Sequence, residues 1–332
     1  MATISEVARR AGVSAATVSR VLNGRTDVSR DLAARVHTAV QDLGYRPNGV
    51  ARNLRRQATK VWGLIISDIG NPFFTSVVRG VEDAAHEAGY SLVLCNSDDD
   101  LDKEQRYIDI ALAEQLAGVI ISPASEPSTD VSALVDRGIP VVAVDRRVGR
   151  LDVDTVLVDN VSGARLATKH LMDSGCRRIA CITGPTRTTT AAERLQGFRQ
   201  AHEAAGREVD EDLVVLENFK ADGGYDGAQR LLGISAPPDG LFVANNLMTV
   251  GALEALMDAG VQIPDDMLLV GFDDIPWARL TRPRLTTVNQ PMYDMGREAG
   301  RLLAARIGRD TSLPRTVVLP PDLQVRESSR RG

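Results

Sequence analysis

Four times in this chain a glycine stands between an amphipathic stretch and a short apolar run. The segments are EAGYSLVLCN (87–96), DRGIPVVAVD (136–145), DSGCRRIACITG (173–184) and DAGVQIPDDMLLVGFD (258–273). Each reads as the end of a helix, a glycine cap and a buried strand, because glycine takes the left-handed conformation in which many helices stop. Alternating β and α units bury both faces of a sheet when the strands are parallel and helices cover each side. The pattern starts at Val61 and runs on for roughly 270 residues, long for a single core. The expected fold class is therefore α/β, with two doubly wound Rossmann-like subdomains and a ligand cleft at the carboxyl ends of strands.

What stands at those strand ends suggests what the cleft would hold. VWGLIIS (61–67) leads into DIGNPFF (68–74), which carries Asn71, Phe73 and Phe74, with Pro72 suited to the first turn of a helix. IPVVAVD ends in Asp145 and is followed by Arg146; a helix start, AAERLQGF, carries Arg194. Phe219 follows LVVLEN, Asn245 follows GLFVA, Asp273 follows LLVGF and Gln290 follows LTTVN. Seven segments thus deliver carboxylates, arginines, amides and aromatic rings to one expected region. A polyol needs this mixture: charged groups and amides bond to adjacent hydroxyls, and aromatic faces cover the apolar C–H faces of a sugar ring. Taken singly, each residue has a structural alternative. An Asp at a strand end caps the next helix, Arg194 pairs with Glu193, and Phe219 packs in a core.

The first 60 residues differ in charge from the rest. They hold eleven basic and four acidic side chains, a net +7, against 28 basic and 40 acidic afterwards, a net −12. A basic head on an acidic body suits a polyanionic partner for the head alone. TISEVARRAGVSAATVSRVLNG (3–24) reads as two short helices around a tight turn. Thr3 and Glu6 have capping-box spacing, Ile4, Val7, Ala8 and Ala11 share a face, Gly12 allows the turn, and Ser14 caps a second helix with Val18, Val21 and Leu22 inward. A third helix is expected from Ser29 to about Leu43, burying Leu32, Val36, Ala39, Val40 and Leu43. This is a helix-turn-helix whose second helix would enter the major groove of DNA. Ala15, Ala16, Thr17 and Arg20 face outward; Arg20 can take a guanine through two hydrogen bonds, and the alanines offer only methyl contacts. In YRPNGVARNLRRQATK (45–60), Pro47 breaks a helix, Asn48 can start another, and Leu54 sits among Arg52, Arg55 and Arg56. So short a helix is marginal alone, and an apolar residue ringed by arginines suits a minor-groove wedge. The alternative for this stretch is a plain linker.

Other chemistries find no support. There is no GxGxxG, P-loop, HExxH or GxSxG, and no nucleophile with a base, so no enzyme is expected. His37, His86, His170 and His202 lack metal-ligand spacing, and no metal or cofactor is expected. Cys95, Cys176 and Cys181 form no CxxC and read as reduced core thiols. NSDDDLDKEQ (96–105) reads as a solvated helix start with its charge at the positive end of the dipole, and TRTTTAAER (186–194) as a loop entering a helix. No apolar run approaches the ~18 residues of a membrane span, and the first residues lack a signal-peptide core. A cytoplasmic protein is expected.

MATISEVARRAGVSAATVSRVLNG, followed by YRPNGVARNLRR, resembles the start of lactose-repressor (LacI/GalR) family transcription factors, and the likeness continues to near the C-terminus. The resemblance implies a periplasmic-binding-protein-like body whose lobes exchange chain. Residues 1–46 would be the DNA-binding domain, 47–60 a hinge helix and 61–332 the effector-binding and dimerisation domain. Within the body, one lobe would comprise about 61–160 and 291–322, the other about 161–290 and 323–332. It further implies a homodimer on a near-palindromic DNA operator, with Leu54 at the position of the family's intercalating leucine. The expected DNA-contacting set is Thr3, Ser14, Ala15, Ala16, Thr17, Arg20, Asn23, Ala51, Leu54 and Arg55. Asn71, Phe73, Phe74, Asp145, Arg146, Arg194, Phe219, Asn245, Asp273 and Gln290 match the residue types that ribose-binding members of the superfamily use, and SLVLCN and RIACITGP are similar to ribose repressors. A ribose-like sugar is the implied effector. Many family members have Asp where this chain has Asn246.

The leading expectation is a repressor released from its operator by sugar. Within the same class, the small molecule or a partner protein acts instead as corepressor; QPMYDMG (290–296) resembles catabolite-control relatives. Outside it stands a sugar receptor with no DNA role, against which the basic head counts. VRESSRRG (325–332) carries no apolar heptads, so a dimer is expected rather than a coiled-coil tetramer.

Overall fold

The computed structural model describes residues 2–22, 28–45, 59–149 and 151–331. The chain divides into two compact units, Met1–Ala58 and Thr59–Gly332.

The first unit contains α1 (Ile4–Ala11), α2 (Ala15–Leu22) and α3 (Arg30–Asp42). Thr3 and Glu6 form the full capping box at the start of α1. Gly12, at φ 63°, turns the chain toward α2, and Arg35 Nη2 fastens that turn to α3 by donating to the Ala11 carbonyl at 2.6 Å. Val7, Ala8, Ala11, Val18, Val21, Val36 and Ala39 make the small core. Two expected core residues differ: Leu32 is only half-buried and lies outside this core, and Leu43 is 37% exposed. The helix stops at Asp42, Gly44 turns left-handed, and Tyr45, bonded back to the Val40 carbonyl, packs on the core in its place.

The second unit is α/β. Its strands begin with β1 (Val61–Ile66), β2 (Ser91–Asn96), β3 (Gly118–Ile121), β4 (Val141–Val144) and β5 (Asp154–Val158). Next come β6 (Ile179–Thr183), β7 (Val214–Leu216), β8 (Gly240–Val243), β9 (Leu268–Phe272) and β10 (Thr286–Asn289), then β11 (Thr316–Leu319) and β12 (Asp322–Gln324). The helices are α4 (Pro72–Glu87), α5 (Leu101–Ala113), α6 (Ser132–Asp136), α7 (Asn160–Asp173), α8 (Thr189–Ala204), α9 (Ala221–Leu232), α10 (Asn246–Asp258) and α11 (Met292–Ile307).

Two six-stranded sheets result, ordered β11-β5-β4-β3-β1-β2 and β12-β10-β9-β8-β6-β7. All pairings are parallel except β10 with β12. The chain passes between the sheets after β5, after β10 and between β11 and β12. The four glycines that open the sequence pattern, Gly89, Gly138, Gly175 and Gly260, all have positive φ. Of the four strands after them, β2 is not fully buried. It is the last strand of its sheet, and Val93 is 48% exposed. Each sheet has its own core, one around Trp62, Leu64 and Ile120, the other around Phe198, Phe242 and Phe272. Each such fully buried side chain contributes about 1.5–3 kcal/mol.

Helices α4 and α11 cross at two glycines. A Cβ on Gly80 would sit 2.1 Å from the Tyr293 carbonyl oxygen, and one on Gly296 would sit 2.1 Å from that of Val77. Even alanine would force the backbones apart. Cys176 and Cys181 are free and buried; burial pushes both thiols up, Cys176 to about 12, which makes them inert at neutral pH. Among the described residues, no helix is long and apolar enough to cross a membrane.

Candidate effector cleft and DNA-binding surface

On the first unit, Ala15, Ala16 and Arg20 are exposed on α2 and Thr17 is half-buried. Ser14 caps the helix: its Oγ accepts from the Thr17 amide at 3.1 Å. The Thr3 hydroxyl is engaged with Glu6, donating to Oε2 at 3.0 Å, so at α1 it is a cap. Asn23, Ala51, Leu54 and Arg55, with most of the 47–60 segment, lie outside the described residues.

On the second unit, all ten side chains expected at a cleft line one cavity. Helices and strand ends deliver them. Asn71 caps α4 by accepting from the Phe73 amide at 2.9 Å, and Pro72 opens the helix. Phe73 and Phe74 pack edge to face, centroids 4.9 Å apart. They belong to the core of the first sheet and also wall the cavity, so core and site are the same surface here. Asp145 and Asp273 stand directly after β4 and β9 at φ 69° and 79°. Their amides bond to the neighbouring strands, Asp145 to Val156 and Asp273 to Val288. Held left-handed in this way, each carboxylate leaves the end of its sheet instead of capping the helix that follows it in sequence, a strain that clusters at functional sites.

The charges are buried and interlocked. Arg194 is 5% exposed; its Nε donates to Asn160 Oδ1 at 2.8 Å and its Nη1 to the Ala244 carbonyl at 2.6 Å, while its guanidinium lies 3.9 Å above the Phe272 ring. It does not pair with Glu193, which accepts from Asn160 instead. Burial pulls the Arg194 pKa down, and Asp273 and Asp145 oppose the shift. Asp273 accepts from Gln290 Nε2 at 2.5 Å and from the Asn246 amide at 3.3 Å; burial still holds its pKa up. Asp145 faces Arg146 Nε at 3.6 Å, and burial pushes its carboxyl up to about 6. Two polar atoms in the cavity's lining residues, Arg146 Nε and Gln290 Oε1, are buried without a hydrogen-bond partner. Buried polar atoms are nearly always satisfied, and a free donor and a free acceptor in one cavity are what a ligand's hydroxyls would complement.

Sequence reasoning missed several neighbours. Asp99, in the run read as a solvated helix start, instead reaches the cavity and pairs with Arg146 Nη1 at 2.7 Å; Asp100 alone caps α5. Ser67, Thr190, Asp68 and Lys220 also line the cavity, and Asp68 and Lys220 form an ion pair that joins the two lobes. A second cross-lobe bond runs from Asn246 Nδ2 to Asn71 Oδ1 at 2.8 Å. Asp68 opens the DIGNPFF segment and Lys220 follows Phe219, so adjacency to a site residue was the available signal. Among the described residues, no group of three His, Cys, Asp or Glu could hold a metal.

The two units match two known sequence families. Residues 3–48 match bacterial regulatory proteins of the lacI family, and residues 168–329 match the periplasmic binding protein-like domain. The chain is 40% identical over 332 residues to the ribose operon repressor of Halalkalibacterium halodurans, covering 100% of this chain and 98% of the relative. It is 37% identical over 331 residues to that of Escherichia coli K12, covering 99% and 100%. Among solved structures, it is similar to a transcriptional regulator CelR–cellobiose complex, with TM-score 0.76, 36% identity and coverage of 99% and 100%. It is likewise similar to the lac repressor dimer bound to operator and the anti-inducer ONPF, with TM-score 0.85, 25% identity and coverage of 99% of each chain. With a helix-turn-helix head, a two-sheet body and full-length relatives at this identity, the chain belongs to the LacI family of bacterial regulatory proteins.

Proposed function

We propose that this protein is a transcriptional repressor that binds its operator as a homodimer and leaves it when D-ribose, or a close pyranose relative, occupies the cleft. The observation that carries this reading is the convergence of ten polar, charged and aromatic side chains from seven segments on one cavity. Asp145 and Asp273 accept from sugar hydroxyls, Arg146 Nε donates and Gln290 Oε1 accepts. Phe73, Phe74 and Phe219 cover the ring's C–H faces. The name ribose operon repressor on relatives 40% and 37% identical supports the same class of ligand.

Control of DNA follows from closure. Asp68–Lys220 and Asn246–Asn71 join the lobes across the cleft, and a sugar held by both lobes favours their closure. Operator affinity falls only if the DNA-bound dimer prefers a different lobe arrangement, since a ligand shifts an equilibrium by its differential affinity alone. The sugar is bound and returned unchanged.

A thermal-shift panel of ribose, other pentoses, hexoses and nucleosides tests the ligand, because binding to the native state raises apparent stability by mass action. Operator binding with and without the stabilising sugar then tests the sign. Release is expected; tightening would make the sugar a corepressor, and insensitivity to every sugar would sink the reading.

Arg20→Ala is expected to relax base preference at one operator position, at a cost of about 1–3 kcal/mol. Binding to a set of operator variants checks this, and equal weakening of all of them would make Arg20 a phosphate contact.

Sugar affinity should also depend on pH. Asp145 accepts hydroxyl hydrogens through both oxygens, with the strength its charge lends, only when ionised, and burial raises its pKa from 3.8 to about 6. Affinity is therefore flat above about pH 7 and falls about tenfold per unit below the raised pKa. The ligand-free body behaves oppositely. A raised folded pKa gives stability that is complete below 3.8 and lost as pH rises through about 6. Calorimetric titrations from pH 5 to 8 check the first trend and melting curves without sugar check the second. An affinity independent of pH would remove Asp145 from ligand contact.

A further inference from the structure

The cleft carries Asp68, Asp99, Asp145 and Asp273 against Arg146, Arg194 and Lys220, one carboxylate more than the cations. Each cation is already committed. Lys220 pairs with Asp68, and Arg194 donates from Nε to Asn160 and from Nη1 to the Ala244 carbonyl. Arg146 is the exception in kind. It is 8% exposed, its Nε has no hydrogen-bond partner, and its Nη1 is shared between Asp99 at 2.7 Å and the Pro123 carbonyl at 3.1 Å. A guanidinium presents a fork that suits phosphate as well as carboxylate. The carboxylate that occupies part of that fork comes from Asp99, on the loop before α5, with its own side chain 39% exposed at the cavity's edge.

We infer that Asp99 determines specificity: by occupying Arg146, it admits uncharged sugars and excludes their phosphate esters. This rests on the sugar reading above and names the residue that separates a sugar from its phosphorylated product. A phosphate monoester brings nearly two negative charges into a cleft already short of cations. It would have to displace the Asp99 carboxylate from Arg146 and leave it unpaired beside Asp145.

The test measures D-ribose, D-ribose 5-phosphate and inorganic phosphate binding to the full chain by calorimetry and thermal shift. Asp99→Asn keeps the side chain's size and tolerates the left-handed backbone of residue 99, φ 56°. The wild type is expected to bind ribose and reject both phosphates. In Asp99→Asn, the ratio of ribose 5-phosphate to ribose affinity rises about tenfold or more, as one charge-assisted bond is worth, and inorganic phosphate stabilises the protein. Asp68→Asn, which leaves Arg146 paired, must not admit the ester; if it does so equally, selectivity belongs to the cleft's net charge and the assignment to Asp99 fails. It fails too if the wild type takes the ester as tightly as ribose, or if Asp99→Asn discriminates as the wild type does. Should ribose bind neither protein while Asp99→Asn alone gains inorganic phosphate, the sugar reading falls and the role of Asp99 stands. Asp99→Ser removes the same charge and repeats the measurement if the Asn variant does not fold.

Discussion

Asp273→Asn is expected to abolish the sugar response while leaving operator binding in place. One carboxylate here accepts from Gln290 Nε2 and from the Asn246 amide, and supplies counter-charge to Arg194. An amide has one accepting oxygen, so one of those two donors is left facing another donor. Gln290 can answer by turning its own amide over. That puts a donor where its unpartnered Oε1 stands, so the ligand meets the wrong polarity. A lost charge-assisted bond costs about 1.5–3 kcal/mol, and with the inverted amide sugar affinity should fall on the order of 100-fold or more. Position 273 lies in the second unit and Asn suits its left-handed backbone, so the headpiece is untouched. Operator titrations with and without ribose give the result. A variant that still releases DNA in ribose would place Asp273 outside the ligand's reach, and one that fails to fold would make it a structural residue.

The second large effect concerns stability. Arg194→Met fills similar space but strands Asp273 and Asp145 in the interior without their shared cation, and leaves Asn160 Oδ1 and the Ala244 carbonyl without their donor. Breaking a buried charge arrangement by removing one partner costs about 3–5 kcal/mol. For a body of this size that lowers Tm on the order of 10 °C. The deficit has a pH signature. The stranded carboxyls take up protons more readily, so the gap between variant and wild type should narrow from pH 8 to pH 5. Paired melting curves at the two pH values check it. A gap that does not change with pH would mean that Arg194 stabilises by packing on Phe272 rather than by charge.

Much of this was legible because it is local. A glycine after an amphipathic stretch marks a helix end, and a short apolar run after it marks a strand, whatever the rest of the chain does. A residue one or two positions past such a strand lies at the sheet's carboxyl edge, and that placed Asp145, Asn245, Asp273 and Gln290 together without coordinates. What was missed depends on contacts between residues far apart in the chain. Asp99 looks like part of a solvated acidic run until β4 brings Arg146 to it from 47 residues away. Lys220 and Asp68 are 152 residues apart, and nothing periodic links them. Asn160 begins α7, which reads as an ordinary helix start, yet it holds both Arg194 and Glu193. Leu43 failed for the opposite reason. Helical spacing marked it as inward, but the helix ends one residue earlier.

The two glycines at which α4 and α11 cross have a mechanical consequence. Side chains between packed helices act as a cushion, sliding between rotamers so that a push on one helix is partly absorbed before the other feels it. Gly80 and Gly296 leave no cushion. Each helix has 16 residues, about 24 Å of rod. One carries Phe73 and Phe74 in its first turn, the other begins two residues after Gln290, so both are gripped at the same end by whatever fills the cleft. The pair behaves as a single stiff lever: a small tilt at the sugar arrives undamped, and magnified by its length, at the far end.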